Sequence, residues 1–302
     1  MAELRFDGRV AVISGAGRGL GRAYAELLTA RGASVVVNDL GVDVSGTGQN
    51  SSPAEETSEH IRAAGGVAIA SDADVSTVDG ATAVVNTALE TFGHLDMVIN
   101  NAGIFNLREF PETDSGHLSR HLDVHVLGSF NLTHAAWPHL VASPSPRVVL
   151  VTSVAAFGLP GYVSYGTAKA ALIGMTMNLA VAGEPFGIKS NAVLPVANTR
   201  MALAGGVTQE QLDALAPAER DRQQPERVAP LVALLVHESF TETGQIYEAG
   251  HGRFARVFVA ECPGYVNVDA TVEDVQENWR EINDENGYRV PRNAFSSLTW
   301  PK

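Results

Sequence analysis

The sequence predicts an α/β fold, a doubly wound sheet of seven parallel strands with helices on both faces. Two observations predict it. Short apolar runs alternate with helical patterns through the first 250 residues, as strands joined by crossover helices require. The residues able to do chemistry fall just past those runs, where the carboxyl ends of parallel strands meet a ligand. Length agrees, because 302 residues at 45% hydrophobic content can bury one large core.

The elements follow in order. Arg9-Val-Ala-Val-Ile-Ser14 reads as the first strand, and Gly15-Ala-Gly-Arg-Gly-Leu-Gly21 turns it into a helical pattern from Arg22 to Arg31. Glycines there let the backbone approach a pyrophosphate, which rests on the N–H groups and positive dipole of the helix start. The spacing is Gly-x-x-x-Gly-x-Gly, so Gly15, Arg18, Gly19, Leu20 and Gly21 are expected at a dinucleotide. The second strand, Ser34 to Asp39, ends on an acid eighteen residues after Gly21. A carboxylate at that place accepts from both hydroxyls of an adenine ribose and repels a 2′-phosphate, which favours NAD over NADP. Arg18, a potential phosphate partner, pulls mildly the other way. Residues 41–53 form a polar loop expected to be mobile, and further strands are expected at 67–71, 96–100, 147–153, 188–194 and 245–248.

Tyr165 and Lys169 lie four apart and therefore share a helix face. An ammonium beside a phenol in a dry cleft favours phenolate, so Lys169 is expected to draw Tyr165 down from its usual value of about 10. Ser153 stands twelve residues before Tyr165.

Ser14 to Gly21, Asp74-Val75, Asn100-Asn-Ala-Gly103, Ser153 and Tyr165-x-x-x-Lys169 together resemble the short-chain dehydrogenase/reductase family over about residues 5–250. The resemblance implies a Rossmann-like fold and NAD(P)-dependent redox chemistry at a carbinol or carbonyl carbon. It assigns Tyr165 to proton exchange with the substrate oxygen, Lys169 to charge and the nicotinamide ribose, and Ser153 to the developing charge, with Thr152 as its alternative. It also places Asp74 and Val75 at the adenine, Asn101, Ala102 and Gly103 at the adenine ribose, and Pro195, Ala197 and Thr199 at the carboxamide. Two positions depart from the general pattern: His125 stands where an Asn anchors a relay water, and Val196 where Pro-Gly is usual. Val37-Asn-Asp-Leu-Gly41, Val124-His-Val-Leu-Gly128 and Gln276-Glu-Asn-Trp-Arg-Glu-Ile282 are more closely similar to the dehydrogenase unit of the type 2 peroxisomal multifunctional enzymes and its bacterial single-domain relatives. That group carries a His at position 125 and implies (3R)-hydroxyacyl-CoA or 17β-hydroxysteroid substrates. A dehydrogenase domain over 1–250 and a tail over 251–302, packed on it or on a neighbouring subunit, are the expected organisation.

A formal charge of −13 argues against nucleic acid and anionic membranes as partners. It leaves a polyanionic CoA ester in need of local cations, for which Arg200, Arg253 and Arg256 are candidates. Cys262 is the only cysteine, which fits a reducing compartment. With no signal-like start and no peroxisomal address of the Ser-Lys-Leu type, cytoplasm is the expected location. His117, His121 and His125 recur every four residues; a polar helix face is expected there and a metal site is not. Phe105, Phe157 and Tyr162 are candidates for an apolar pocket wall. By family analogy the chain pairs as a homodimer or homotetramer, with Leu172, Met175 and Leu179 on the shared face. The functions left in play are a 3-hydroxyacyl-CoA dehydrogenase, a steroid or other secondary-alcohol dehydrogenase, and a non-catalytic NAD-binding protein.

Overall fold

The computed structural model describes residues 3–298. It divides into two compact units on either side of the Arg256–Val257 bond.

The first unit begins with β1 (Val10–Ser14), α1 (Gly19–Ala30), β2 (Ser34–Asn38), α2 (Ser52–Ala63), β3 (Val67–Ser71) and α3 (Val78–Phe92). It continues through β4 (Met97–Asn100), α4 (Ser115–Leu122), α5 (Gly128–Ala142), β5 (Arg147–Val151), α6 (Val163–Gly183) and β6 (Lys189–Val196). Three short helices, α7 (Arg200–Ala204), α8 (Gln209–Ala214) and α9 (Pro217–Arg222), lead to α10 (Ala229–Val236), β7 (Ile246–Gly250) and β8 (Arg253–Val257). The strands form one sheet in the order β3-β2-β1-β4-β5-β6-β7-β8. β1 to β7 pair in parallel.

Alternation along β1 builds both layers. Ala11 and Ile13 enter the core shared with α1 and α10, whereas Val10 and Val12 enter the core shared with α3, α5 and α6. All five β1 residues are buried, as a strand covered on both faces must be. The chain reverses its winding between β1 and β4, so the loops that follow these two strands part and leave a crevice at their carboxyl ends.

The sheet has eight strands rather than the seven expected. His251 and Gly252 both have positive φ, 54° and 79°, the conformation of a two-residue hairpin turn, so Arg253–Val257 folds back beside β7. The run is mostly exposed and carries two arginines among its five residues, which hid it from a search for buried parallel strands. The loop expected to be mobile is tied down. Phe105 N–H donates to Val44 O at 2.7 Å, Asn50 N–H to Leu40 O at 3.1 Å, and Arg120 to Gly46 O.

Leu172 is buried in the α3/α5 layer, whereas Met175 and Leu179 pack against that layer while staying partly exposed. Exposed apolar side chains on these helices and their approaches include Leu127, Phe130, Val163 and Val181. α6 is apolar almost all round, so its periodicity cannot say which side meets the sheet.

The second unit holds α11 (Val272–Glu277), α12 (Trp279–Ile282) and α13 (Ala294–Leu298). Asn278 interrupts the run expected as one helix at 276–282. Glu261 and Arg289 exchange backbone hydrogen bonds at 2.9 and 3.0 Å and pair their side chains at 3.2 Å. Cys262 is a partly exposed thiol. Residues 1–2 and 299–302, on which part of the reading of the chain ends rested, lie outside the described residues. Among the described residues no helix is long and apolar enough to cross a membrane.

Candidate active site

The glycine loop after β1 is fixed from three sides. Asn101, just past β4, donates through its side chain to Ser14 O (3.0 Å) and Gly15 O (2.9 Å), while Ser14 Oγ accepts from the N–H groups of Asn101 and Ala102 at 3.1 and 3.0 Å. Thr57 Oγ1 on α2 donates to Gly17 O at 2.8 Å. Asp39 accepts from Gly17 N–H at 3.0 Å with one carboxylate oxygen and from Gly41 N–H at 2.8 Å with the other. Gly15 has φ of 64°, and a Cβ there would stand 2.8 Å from Ala102 Cα; one on Gly21 would stand 2.3 Å from Gly15 O. Side chains at either place would push the loop off β4.

A cavity of about 410 Å³ opens over this loop. Its walls include Gly15, Arg18, Gly19, Leu20, Asp39, Asp74, Val75, Asn101, Ala102, Gly103, Tyr165, Lys169, Pro195 and Thr199. Ser153, His125, Gly21 and Ala197 are the candidates outside the wall. Gly21 is the packing glycine beneath the loop. His125 sits behind Gly103, where a Cβ would come within 2.5 Å of its ring. Arg200 lines the cavity beside Arg18, and neither guanidinium makes a hydrogen bond or ion pair among the described residues. Burial and Arg18 lower Arg200, while Asp39 and Asp43 oppose them. Arg253, expected near a CoA ester, is paired with Glu248, and neither it nor Arg256 reaches the cavity.

Tyr165 is enclosed by rings. Phe105 lies 5.1 Å from it, His125 5.3 Å, Tyr162 6.2 Å and His121 6.4 Å, centroid to centroid. Phe105 and Tyr162 thus flank the phenol and Phe157 is exposed, and none of the three lines the cavity. Lys169 Nζ sits 5.7 Å from the Tyr165 ring centre and donates to Val151 O at 2.7 Å. The direction expected for the phenol is reversed: burial pushes Tyr165 up to about 12, against the pull of a hydrogen bond with Ser153. Lys169 does not lower it because burial brings Lys169 itself down from 10.5 to about 7. The Thr152 hydroxyl donates to Lys169 O at 2.6 Å and is buried, so Ser153 is the hydroxyl that faces Tyr165.

His117, His121 and His125 are not the polar outer face expected. His121 and His125 are 1% and 0% exposed. Gly128 N–H donates back to Asp123 O, a widened π-turn that carries His125 inward at the end of α4. Among the described residues no three His, Cys, Asp or Glu side chains are grouped to hold a metal ion. Sequence reasoning missed the role of Ser14 as the clamp between β1 and β4 and the placement of Arg200 beside Arg18, since each depends on segments far apart in the chain.

A parallel sheet that opens at its switch point, a glycine loop at a helix start and a Tyr-Lys pair on the cavity wall, with Ser153 against the tyrosine, define a dinucleotide-dependent oxidoreductase fold. The short chain dehydrogenase family model matches residues 9–205, and the chain belongs to this family. It is 40% identical to a short-chain type dehydrogenase/reductase of Mycobacterium tuberculosis over 93% of this chain and 96% of the relative. It is 37% identical to peroxisomal multifunctional enzyme type 2 of Mus musculus over 98% of this chain, but spans only 39% of that protein. The full-length peroxisomal multifunctional enzyme type 2 of Drosophila melanogaster superposes with a TM-score of 0.78 at 30% identity, covering 98% of this chain and 48% of that one. A 7α-hydroxysteroid dehydrogenase complexed with NADH and 7-oxo glycochenodeoxycholic acid gives 0.73 at 27% identity, covering 83% of this chain and 98% of that one.

Proposed function

We propose that the protein is an NAD-dependent oxidoreductase that moves hydride between a secondary alcohol or ketone and nicotinamide, with 3-hydroxyacyl-CoA esters as its substrate class. One observation carries the reading: a single cavity brings Asp39, the glycine loop and the Tyr165–Lys169 face together. The cradle fits a dinucleotide, since its glycines leave no Cβ over the helix start and two unpaired guanidiniums face the same space. When bound, the nicotinamide supplies the hydride acceptor or donor.

The chain's own residues do the rest. Asp39, fixed by two backbone N–H groups, is positioned to accept from ribose hydroxyls and to repel a 2′-phosphate. Arg18 and Arg200 offset pyrophosphate charge. Asp74 and Val75 wall the adenine side, and Pro195 and Thr199 the carboxamide side. Tyr165 exchanges the proton with the substrate oxygen, Ser153 donates to that oxygen as charge develops, and Lys169 stands ready for the ribose and the phenol.

The acyl-CoA class rests on the likeness to the multifunctional enzymes. The steroid-dehydrogenase neighbour, together with the Phe105 and Tyr162 rings beside Tyr165, favours a 17β-hydroxysteroid or related alcohol as the second reading. Pairing into a homodimer or homotetramer is proposed through the exposed Leu127, Phe130, Val163 and Val181 rather than through Leu172. The tail is proposed to belong to the same working unit, and the cytoplasm is the proposed compartment.

NADH formation from NAD with (3R)-3-hydroxyacyl-CoAs of several lengths, and in parallel from a 17β-hydroxysteroid, tests the proposal. Turnover of the CoA esters supports the first reading, and of the steroid alone the second. Binding without turnover of any secondary alcohol would leave a non-catalytic dinucleotide sensor. Asp39→Asn should raise NADP use relative to NAD about tenfold; an unchanged ratio would reject Asp39 as the discriminator.

A further inference from the structure

The chain between β2 and α2 crosses the cavity as a strap over residues 41–50. Its two feet are pinned to each other: Gly41 N–H donates to the Asp39 carboxylate at 2.8 Å and Asn50 N–H to Leu40 O at 3.1 Å, and a Cβ on Gly41 would stand 1.5 Å from Asn50 O. The tip is folded on itself. One oxygen of Asp43 accepts from Ser45 N–H at 2.9 Å, Ser45 Oγ at 2.7 Å and Thr47 N–H at 2.9 Å, and Asp43 N–H donates to Thr47 O at 2.9 Å. A loop with joined feet and internal bonds moves as one piece.

The tip rests on a fixed bank. Among the described residues two hydrogen bonds tie it there, from Phe105 N–H to Val44 O at 2.7 Å and from the Arg120 guanidinium to Gly46 O. Phe105 is buried, with its ring 5.1 Å from those of both Tyr162 and Tyr165, and Arg120 stands on α4. Gly46, at a φ of 84°, touches the bank so closely that a Cβ would stand 2.8 Å from Ile104 Cγ2. Val42 and Val44 line the cavity from the strap, Ile104 and Arg120 line it from the bank, and Asp39, Asp74 and Val75 belong to the same cavity.

We propose that the 41–50 strap is a clasp over the adenosine half of the dinucleotide, latched by Arg120 and Phe105, so that cofactor exchange waits for the strap to lift. The proposal rests on the reading of this cavity as a nicotinamide dinucleotide site. Oxidised and reduced cofactor must exchange between turnovers, and the latch suits a closure opened that often. One of its two bonds comes from an exposed side chain, and a hydrogen bond made in reach of water adds little net stability. Phe105, held among rings, is the post, and the strap is the part that swings.

Both partners of each latch bond belong to the chain, so the bonds form whether or not a cofactor lies beneath. Weakening them lifts the strap equally in the free and the loaded protein. Entry and exit therefore quicken by the same factor, and the dissociation constant stays where it was. A side chain that only touched the cofactor would act differently: its loss would quicken exit alone and weaken binding.

The test measures NADH association and dissociation by stopped-flow fluorescence in wild type, Arg120→Gln and Gly46→Ala. Arg120 is exposed, so its substitution spares the fold. Native-state amide exchange of the Phe105 N–H, in protein without cofactor, reads the latch independently of binding. Each variant should raise both rate constants about fivefold, hold Kd within about twofold, and speed exchange at Phe105 about fivefold without cofactor. A rise in the exit rate alone with a weaker Kd would make Arg120 a cofactor contact and overturn the clasp. Normal NADH binding with unchanged rates in Arg120→Gln would overturn the clasp and leave the dinucleotide reading standing. Wild type that binds neither NADH nor NADPH would overturn both.

Discussion

The two edges of the sheet use the same residue types in opposite ways. At the amino edge, before β1 and β4, every charge and imidazole of a dense cluster has a partner. Arg9 pairs with Glu238 at 2.6 Å and with buried Asp96 at 3.6 Å, and Asp96 also accepts from Val10 N–H at 2.9 Å. Arg147, buried, donates to the carbonyls of Pro146, His237, Glu238 and Phe240. Both ring nitrogens of His94 and of His237 are partnered. At the carboxyl edge Arg18 and Arg200 have no hydrogen-bond or ion-pair partner among the described residues, and His121 Nε2 and His125 Nδ1 are buried without a hydrogen-bond partner. Charges satisfied within the chain hold the fold, and those left unsatisfied are available to a ligand.

The comparison breaks most sharply under single substitutions that should move one property each. Tyr165→Phe removes the proton-exchanging oxygen and keeps the ring cage, so turnover should fall about a thousandfold, roughly 4 kcal/mol of barrier, with the denaturation midpoint little changed. Steady-state kinetics beside urea unfolding checks both halves. Asp96→Ala should do the reverse. It strips buried partners from Arg9, His94, Ser143 and the β1 backbone, and should cost about 3 kcal/mol of stability while KM for cofactor stays put. A KM shift as large as the stability loss would refute the separation of the two edges.

What the sequence could tell divides along the same line. The glycine loop, Asp39 and the Tyr165–Lys169 pair lie within short stretches whose spacing already dictates the geometry. The parallel sheet was legible for the same reason, since its strands are continuous apolar runs. The direction of the Tyr165 shift was not legible, because the rings of Phe105, His121 and His125 reach it from other segments. The histidine repeat was visible as a spacing, but which way that helix face turns depends on how α4 meets α6. The burial of Leu172 was not legible for a related cause: on a helix apolar all round, only packing decides which side is inner. The amino-edge network has no sequence signature, since Arg9, Asp96, Arg147 and Glu238 are brought together by three strands and the turn after α10.

Two smaller effects sharpen the contrast. Lys169 is a buried cation whose value burial depresses to about 7 from 10.5. The unfolded chain therefore holds the extra proton between those values, so the stability linked to this group is full above about 10.5, is lost as pH falls towards 7, and is level below that. Wild type should gain on the order of 2 kcal/mol relative to Lys169→Met between pH 7 and pH 9, read from urea midpoints at each pH without cofactor. Equal pH dependence in the two proteins would mean that Lys169 is not desolvated.

The smallest effect belongs to Arg200. It has no hydrogen-bond or ion-pair partner among the described residues to lose, so Arg200→Gln should leave the unfolding midpoint within about 0.5 kcal/mol of wild type, as a surface change away from any network does. It faces the cavity next to Arg18, so calorimetric Kd for NAD should weaken about five- to tenfold, and the loss should shrink as salt rises. Arg9→Gln at the other edge would show the opposite pattern, a lower midpoint and an unchanged Kd, because Asp96 and Glu238 already use its charge. If Arg200→Gln instead lowered stability and left Kd alone, its unpaired state would be a packing accident, and missing partners would lose their value as a marker of the cofactor edge.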